Sequence, residues 1–237
     1  MNRSLSHQFA IEEQLQSFLR EKQTKKMTDY LESLSNADFR TAGNILGEKI
    51  MAKLDDEDFW SLFKELALYN PKAFLGTCLK AVRQKYLKGN FSLKSENFAS
   101  YSEIIVNNNM KIDQQKAIKF LLPILKNPEE MRYLFNLYHI DEPSERIRYL
   151  IRNATLPSYY LLFESAKQLE HEKDILCRFC MELIREGTRY SYNLASLFKS
   201  YFDLPQISGT FSLNIKPYQL NYIDLSYEKF CKIMNSI

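Results

Sequence analysis

The sequence predicts an almost entirely α-helical protein made of stacked antiparallel helical hairpins. Apolar residues recur at three- and four-residue spacings through most of the 237 residues, which is the helical period. Only six Gly and seven Pro are present, too few for an architecture rich in tight β-turns. Helix start and stop signals also alternate at intervals of roughly 13 to 20 residues.

Individual helices are defined by these signals. The acidic run 55–58 suits a helix N-terminus, Phe59 and Phe63 fall on one face of the following segment, and Asn70-Pro71 ends it. Asn127 before Pro128 is a typical N-cap, and Thr155 before Leu156-Pro157 is a looser version of the same start signal. Gly89 and Gly187 each follow a basic, periodic segment as helix-ending glycines do. The predicted helices span residues 6–22, 25–34, 37–53, 56–69, 72–88, 96–107, 112–125, 129–138, 143–153, 157–169, 171–186 and 189–201.

Most connections between these helices are short, so neighbouring helices are expected to be antiparallel hairpins. Hairpin units start near residues 37, 71, 112, 143 and 171, at intervals close to those of helical-hairpin repeats. No residue pattern recurs from unit to unit. Two architectures fit these observations for a helical-hairpin domain over residues 1–202: an irregular solenoid-like stack and a compact multi-helix bundle.

The C-terminal region, residues 203–237, is predicted to be a separate appendage with a strand and a helix. Apolar or small residues alternate with polar ones over 207–215, and the period of two predicts a strand. Ser226 then caps a final helix. The candidate partner-binding residues of the predicted strand are Ile207, Phe211, Leu213 and Ile215. The strand either adds to a partner's sheet edge or packs on the chain's own helices.

Composition sets the class of protein and its compartment. No secretory signal is present near the N-terminus, and no apolar stretch approaches the roughly 20 residues that span a bilayer. We therefore expect a cytoplasmic protein without a membrane partner, with its four Cys as reduced thiols. A formal net charge of +3 is too small to steer the chain towards nucleic acid by itself.

Cys177 and Cys180 form the most conspicuous chemical motif, with His171 nearby. On a helix, however, His171 lies on the opposite side from Cys180 and about 13 Å along the axis, so they cannot share a metal ion. The βαβ context of a redox CxxC motif is also missing. We therefore predict buried structural thiols, with no catalytic residue, cofactor or metal site.

A basic segment over residues 72–94 is the candidate surface for nucleic acid or an acidic partner. No acidic residue occurs between Glu65 and Glu96. Phosphates are attracted to clustered Lys and Arg side chains. Helical projection nevertheless places these charges on both flanks of the buried stripe rather than on one face. The basic residues are Lys72, Lys80, Arg83, Lys85, Lys88 and Lys94.

The pair Gly43 and Gly47 is predicted to be a close helix-packing contact and not a phosphate loop. From the fold class, the expected function is that of a non-enzymatic scaffold or adaptor that binds a protein partner. The alternative is a nucleic-acid-associated helical protein that uses the basic segment, and an enzyme with an unrecognised site is the third hypothesis.

Overall fold

The computed structural model describes residues 3–89, 91–107, 111–211 and 225–236. These residues form thirteen α-helices and no β-strand, which confirms the all-α class. The chain divides into two compact units, Met1–Ile124 and Leu125–Ile237. The predicted boundary between residues 202 and 203 falls within the second unit and stays a prediction.

The described residues of the first unit form seven α-helices. After the third helix the backbone continues through a π-helical turn, Ile45–Ile50, and a 3-10 turn, Met51–Lys53, so the predicted helix over 37–53 is one helical segment. A further 3-10 turn, Leu122–Ile124, ends the unit. The helices are α1 (Arg3–Arg20), α2 (Thr24–Ser33), α3 (Asn36–Asn44), α4 (Asp56–Tyr69), α5 (Pro71–Leu87), α6 (Glu96–Asn107) and α7 (Lys111–Leu121).

Helix α5 is the central helix of this unit and packs against α3, the π-helical turn, α4 and α7. Two glycines allow this close approach. A Cβ at Gly47 would lie 2.5 Å from the Thr77 carbonyl oxygen, and one at Gly43 would lie 2.8 Å from Thr77 Oγ1. Real Cβ atoms do not come this close, so a side chain at Gly47 would displace backbone and one at Gly43 would displace the Thr77 hydroxyl. The predicted packing role of the pair is confirmed.

The second unit contains six α-helices in the described residues. Asn127 and Thr155 cap the starts of two of them through their side chains, and Gly187 ends a third with a left-handed φ of +68°, as their sequence signals predict. The helices are α8 (Pro128–Leu137), α9 (Pro143–Ile151), α10 (Leu156–Lys167), α11 (Lys173–Glu186), α12 (Arg189–Tyr201) and α13 (Tyr227–Ser236).

Helix α13 docks on α10 and α12 of its own unit. Phe230 is fully buried, and its ring lies 5.5 Å from Tyr160 and 6.2 Å from Phe163, centroid to centroid. The Asn193 side-chain amide donates to the Met234 carbonyl at 2.9 Å, and the Tyr190 hydroxyl donates to Asn235 Oδ1 at 3.0 Å. Aromatic packing and hydrogen bonds together fix the last helix of the chain.

The prediction of a β-containing appendage is wrong, because no strand is found in the described residues. Residues 207–210 form a turn in which the Thr210 N–H donates to the Ile207 carbonyl at 3.2 Å. Gly209 adopts a φ of +90° there, which a strand does not accommodate. Alternation of period two failed because small and polar residues also alternate in loops. Phe211 follows this turn, and residues 212–215 of the predicted strand, with Leu213 and Ile215, lie outside the described part of the chain.

Within the same described ranges, no helix combines the length and the apolar character that a membrane crossing requires.

Candidate functional site

A groove between α5 and α7 is the candidate binding site of the first unit. It has a volume of about 480 Å³, within the range of small-molecule and side-chain pockets. Apolar atoms dominate its surface, and lysines stand at its edge. The lining residues are Ala73, Leu75, Gly76, Leu79, Lys116, Lys119 and Phe120.

Gly76 lies at the centre of the exposed face of α5. With 100° of rotation per residue, Lys80, Arg83 and Leu87 fall within about 40° of Gly76 around the helix axis. Leu87, near the far end of this face, is 49% exposed. Thr77, about 100° from Gly76 around the axis of α5, lies against Gly43 and Gly47. One side of the helix is therefore packed and the other is open.

Positive charges surround the groove. Lys116 and Lys119 line it from α7, and both are exposed. Lys80 donates a hydrogen bond to Asn44 Oδ1, and the Arg83 guanidinium lies 5.4 Å from the centre of the Phe120 ring. In the described residues, no carboxylate forms an ion pair with Lys80, Arg83 or Lys119. The groove therefore combines an apolar floor with a positive edge.

The structure separates the members of the predicted basic segment. Lys85 is buried, with its side chain 5% exposed. Its ammonium group donates to the Leu54 carbonyl at 3.0 Å and to Asp56 Oδ1 at 2.9 Å, and it lies 4.7 Å from the centre of the Phe59 ring. This buried cation has its partners within the unit. Its bonds attach α5 to the segment that leads into α4.

The remaining members lie in different environments. Lys88 donates to the Ala52 carbonyl at 3.5 Å, and Lys94 is exposed in the loop before α6. Lys72 lies in the first turn of α5, and its side chain is outside what the structure describes. Among the members whose side chains the structure describes, Lys80 and Arg83 lie within about 40° of Gly76 around the axis of α5. Lys80 also borders the packed side, since a Cβ at Gly47 would lie 3.2 Å from its Cβ.

Sequence analysis missed the second wall of the groove. Lys116, Lys119 and Phe120 lie at positions i, i+3 and i+4 of the predicted helix over 112–125, so their common face could be read from their spacing. Their position beside α5 could not, because α6 intervenes in the chain.

The cysteine motif has the environment of structural thiols. Cys180 is fully buried, and its Sγ lies 3.3 Å from the Ala195 carbonyl oxygen. Burial raises the pKa of this thiol to about 12, and burial also raises the pKa of Cys177. Both thiols are therefore protonated at neutral pH, when they are weak nucleophiles and weak metal ligands. His171 is fully exposed beside Glu170, and the described residues contain no group of three or more candidate metal ligands.

Two smaller concavities contain polar residues. One in the first unit, of about 210 Å³, is lined by Lys22, Asp58, Ser61 and Glu65 among others. One in the second unit, of about 70 Å³, lies between Arg132 and Arg146. Glu164 Oε2 lies 3.4 Å from Arg132, and Asp141 Oδ1 lies 3.6 Å from Arg146. These arginine charges are compensated by carboxylates within the unit.

Comparison of the chain with protein-family models, curated proteins and solved structures finds no match. The geometry and charge of the groove are therefore the basis for assigning a function.

Proposed function

We propose that this chain is a non-enzymatic helical scaffold or adaptor of the cytoplasm that binds a protein partner through the α5–α7 groove. The observation that carries the proposal is the open face of α5 around Gly76, with its apolar floor and positive edge. Grooves of this kind between helices are a common mode of peptide recognition. Stacked helical hairpins provide a rigid frame for such a surface.

The alternative of a nucleic-acid-associated protein receives less support from the described residues. Lys85 is buried and ion-paired, and Arg83 stacks on Phe120. The basic segment therefore lacks the continuous charged face that follows a phosphate backbone.

Two substitutions at one residue test the proposal. Gly76→Leu places a side chain in the groove, whereas Gly76→Ala adds only a Cβ, which would meet no atom of neighbouring segments within 4 Å. Both replace a helix-interior glycine, so both should raise helix stability, by up to roughly 1 kcal/mol. Loss of binding in the Leu variant therefore cannot be explained by unfolding.

Affinity purification of the full chain from the cells that express it, followed by quantitative mass spectrometry, provides the measurement. We expect wild type and Gly76→Ala to retain a stoichiometric protein partner, and Gly76→Leu to retain about tenfold less, since filling the groove removes its apolar contact. Equal recovery with all three proteins, or no stoichiometric partner with any, would contradict the proposal.

A further inference from the structure

We infer that the segment bound in the groove is an amphipathic helix with acidic flanks, which lies along α5 and approaches its backbone most closely at Gly76. This inference rests on the proposed function and specifies the chemistry of the partner. It follows from three properties of the site, namely the position of Gly76, the charge of the edge and the arrangement of the floor.

The position of Gly76 is the first property. Glycine inside a helix costs roughly 1 kcal/mol relative to alanine. Gly43 and Gly47 offset this cost by allowing α5 to pack closely, as the distances to Thr77 show. Gly76 has no such contact, since a Cβ there would meet no other segment within 4 Å. A bound helix would provide the missing contact, because a residue without a side chain lets two helix backbones approach closely.

The charge of the edge is the second property. Lys119 lines the groove on α7, and Lys80 and Arg83 follow Gly76 along α5. None of the three is ion-paired with a described carboxylate. A partner helix with carboxylates on both sides of its apolar stripe would complement these charges, whereas a basic segment would be repelled.

The arrangement of the floor is the third property. Ala73, Gly76 and Leu79 present a shallow apolar surface on α5, and Phe120 bounds it on α7. An incoming helix can rest on both α5 and α7, with apolar residues at i, i+3, i+4 and i+7 facing the floor. Nucleic acid fits this floor less well, because bases bind by stacking on open aromatic faces. Phe120, which is the aromatic residue of the lining, already contacts Arg83.

Selection from a display library of random peptides of about 16 residues tests the inference on the full chain. A peptide of this length forms a helix about as long as α5. Wild type is the target, and Gly76→Leu removes peptides that bind elsewhere. We expect the enriched peptides to combine helical apolar spacing with net negative charge and to gain helical circular dichroism when bound.

Fluorescence anisotropy of the enriched peptides then measures each property separately. We expect Gly76→Ala to change affinity less than threefold, and Gly76→Leu to weaken it about tenfold or more, because only Leu occupies the floor. Lys119→Glu should weaken binding about three- to tenfold at low salt and less at high salt, because salt screens exposed charges. A single-stranded RNA oligonucleotide at the same concentration should not displace the peptide.

The outcomes distinguish this inference from the proposed function. Enrichment of basic, neutral or proline-containing peptides would overturn the acidic helix while leaving protein binding in place, and so would the absence of enrichment. Displacement of the peptide by the RNA would overturn it in favour of nucleic acid. A cellular partner whose recovery ignores Gly76→Leu would instead overturn the proposed function, whichever peptides the selection returns.

Discussion

Helix α5 of the first unit and helix α12 of the second differ in what covers their outer side. Asn193 and Ser196 on the outer side of α12 are buried. Asn193 donates to the Met234 carbonyl in α13, and the Phe211 N–H donates to Ser196 Oγ at 3.3 Å. The outer side of α5, around Gly76, has no covering segment among the described residues of its unit.

This difference shows how to interpret small and polar residues on the outer side of a helix. On α12 their partners come from later segments of the same chain, so they contribute to stability. Gly76 on α5 lowers helix propensity and has no such partner in its unit. The comparison therefore points to a structural role for the outer side of α12 and a binding role for that of α5.

Weakening the docking of α13 on α10 and α12 should have the largest effect on stability. Phe230→Ala deletes a fully buried ring that contacts Tyr160 and Phe163. Such truncations typically cost about 3 to 5 kcal/mol, since they lose burial and leave a cavity. We expect a decrease of this size in the free energy of unfolding of the second unit, measured by urea denaturation with circular dichroism.

Phe211→Ala is the matched control for this prediction, because Phe211 is 47% exposed although it follows the turn that packs on α11. It should cost less than about 1 kcal/mol, as substitutions at exposed sites do. Equal decreases in the free energy of unfolding for the two variants would show that α13 does not dock on α10 and α12 in solution.

Alanine substitution at two glycines should have opposite effects on stability. Gly47→Ala places a Cβ against the Thr77 carbonyl, so α5 must move, at a cost of about 1 to 3 kcal/mol. Gly76→Ala meets nothing and should stabilise by roughly 0.5 to 1 kcal/mol through helix propensity. Thermal unfolding of the two variants beside wild type measures both changes. A loss of stability in Gly76→Ala would mean that the groove is filled by the chain itself.

The fold was predictable wherever local physics determines it. Apolar spacing and caps such as Asn127 and Thr155 defined helices that the structure confirms, because those signals act within a few residues. The strand over 207–215 was predicted wrongly. A short alternation of small and polar residues also occurs in loops, and it does not show that a neighbouring strand is available for pairing. Gly209 was the contrary signal, because its left-handed φ is typical of a turn.

The candidate site was predictable only in part. The sequence identified the basic residues of α5, but the burial of Lys85 depends on the Leu54 carbonyl and Asp56, which only the packing of α4 brings into reach. The groove itself depends on α7, which lies one helix away in the chain. Gly76 resembled any other helical glycine until its surroundings could be compared with those of Gly43 and Gly47.

The smallest expected effect tests whether water is excluded from the contact between α11 and α12, where Cys180 lies against the Ala195 carbonyl. Burial raises the pKa of Cys180 to about 12, with a further increase from Cys177 that Lys199 opposes. The folded-state pKa thus exceeds the unfolded value near 9, so this stabilisation is complete below pH 9 and is lost as the pH rises towards 12. Cys180 should account for about 1 kcal/mol of lost stability by roughly pH 9.5. Denaturation at a series of pH values should show a shallower decline in Cys180→Ala, and identical slopes would mean that water reaches the thiol in the folded protein.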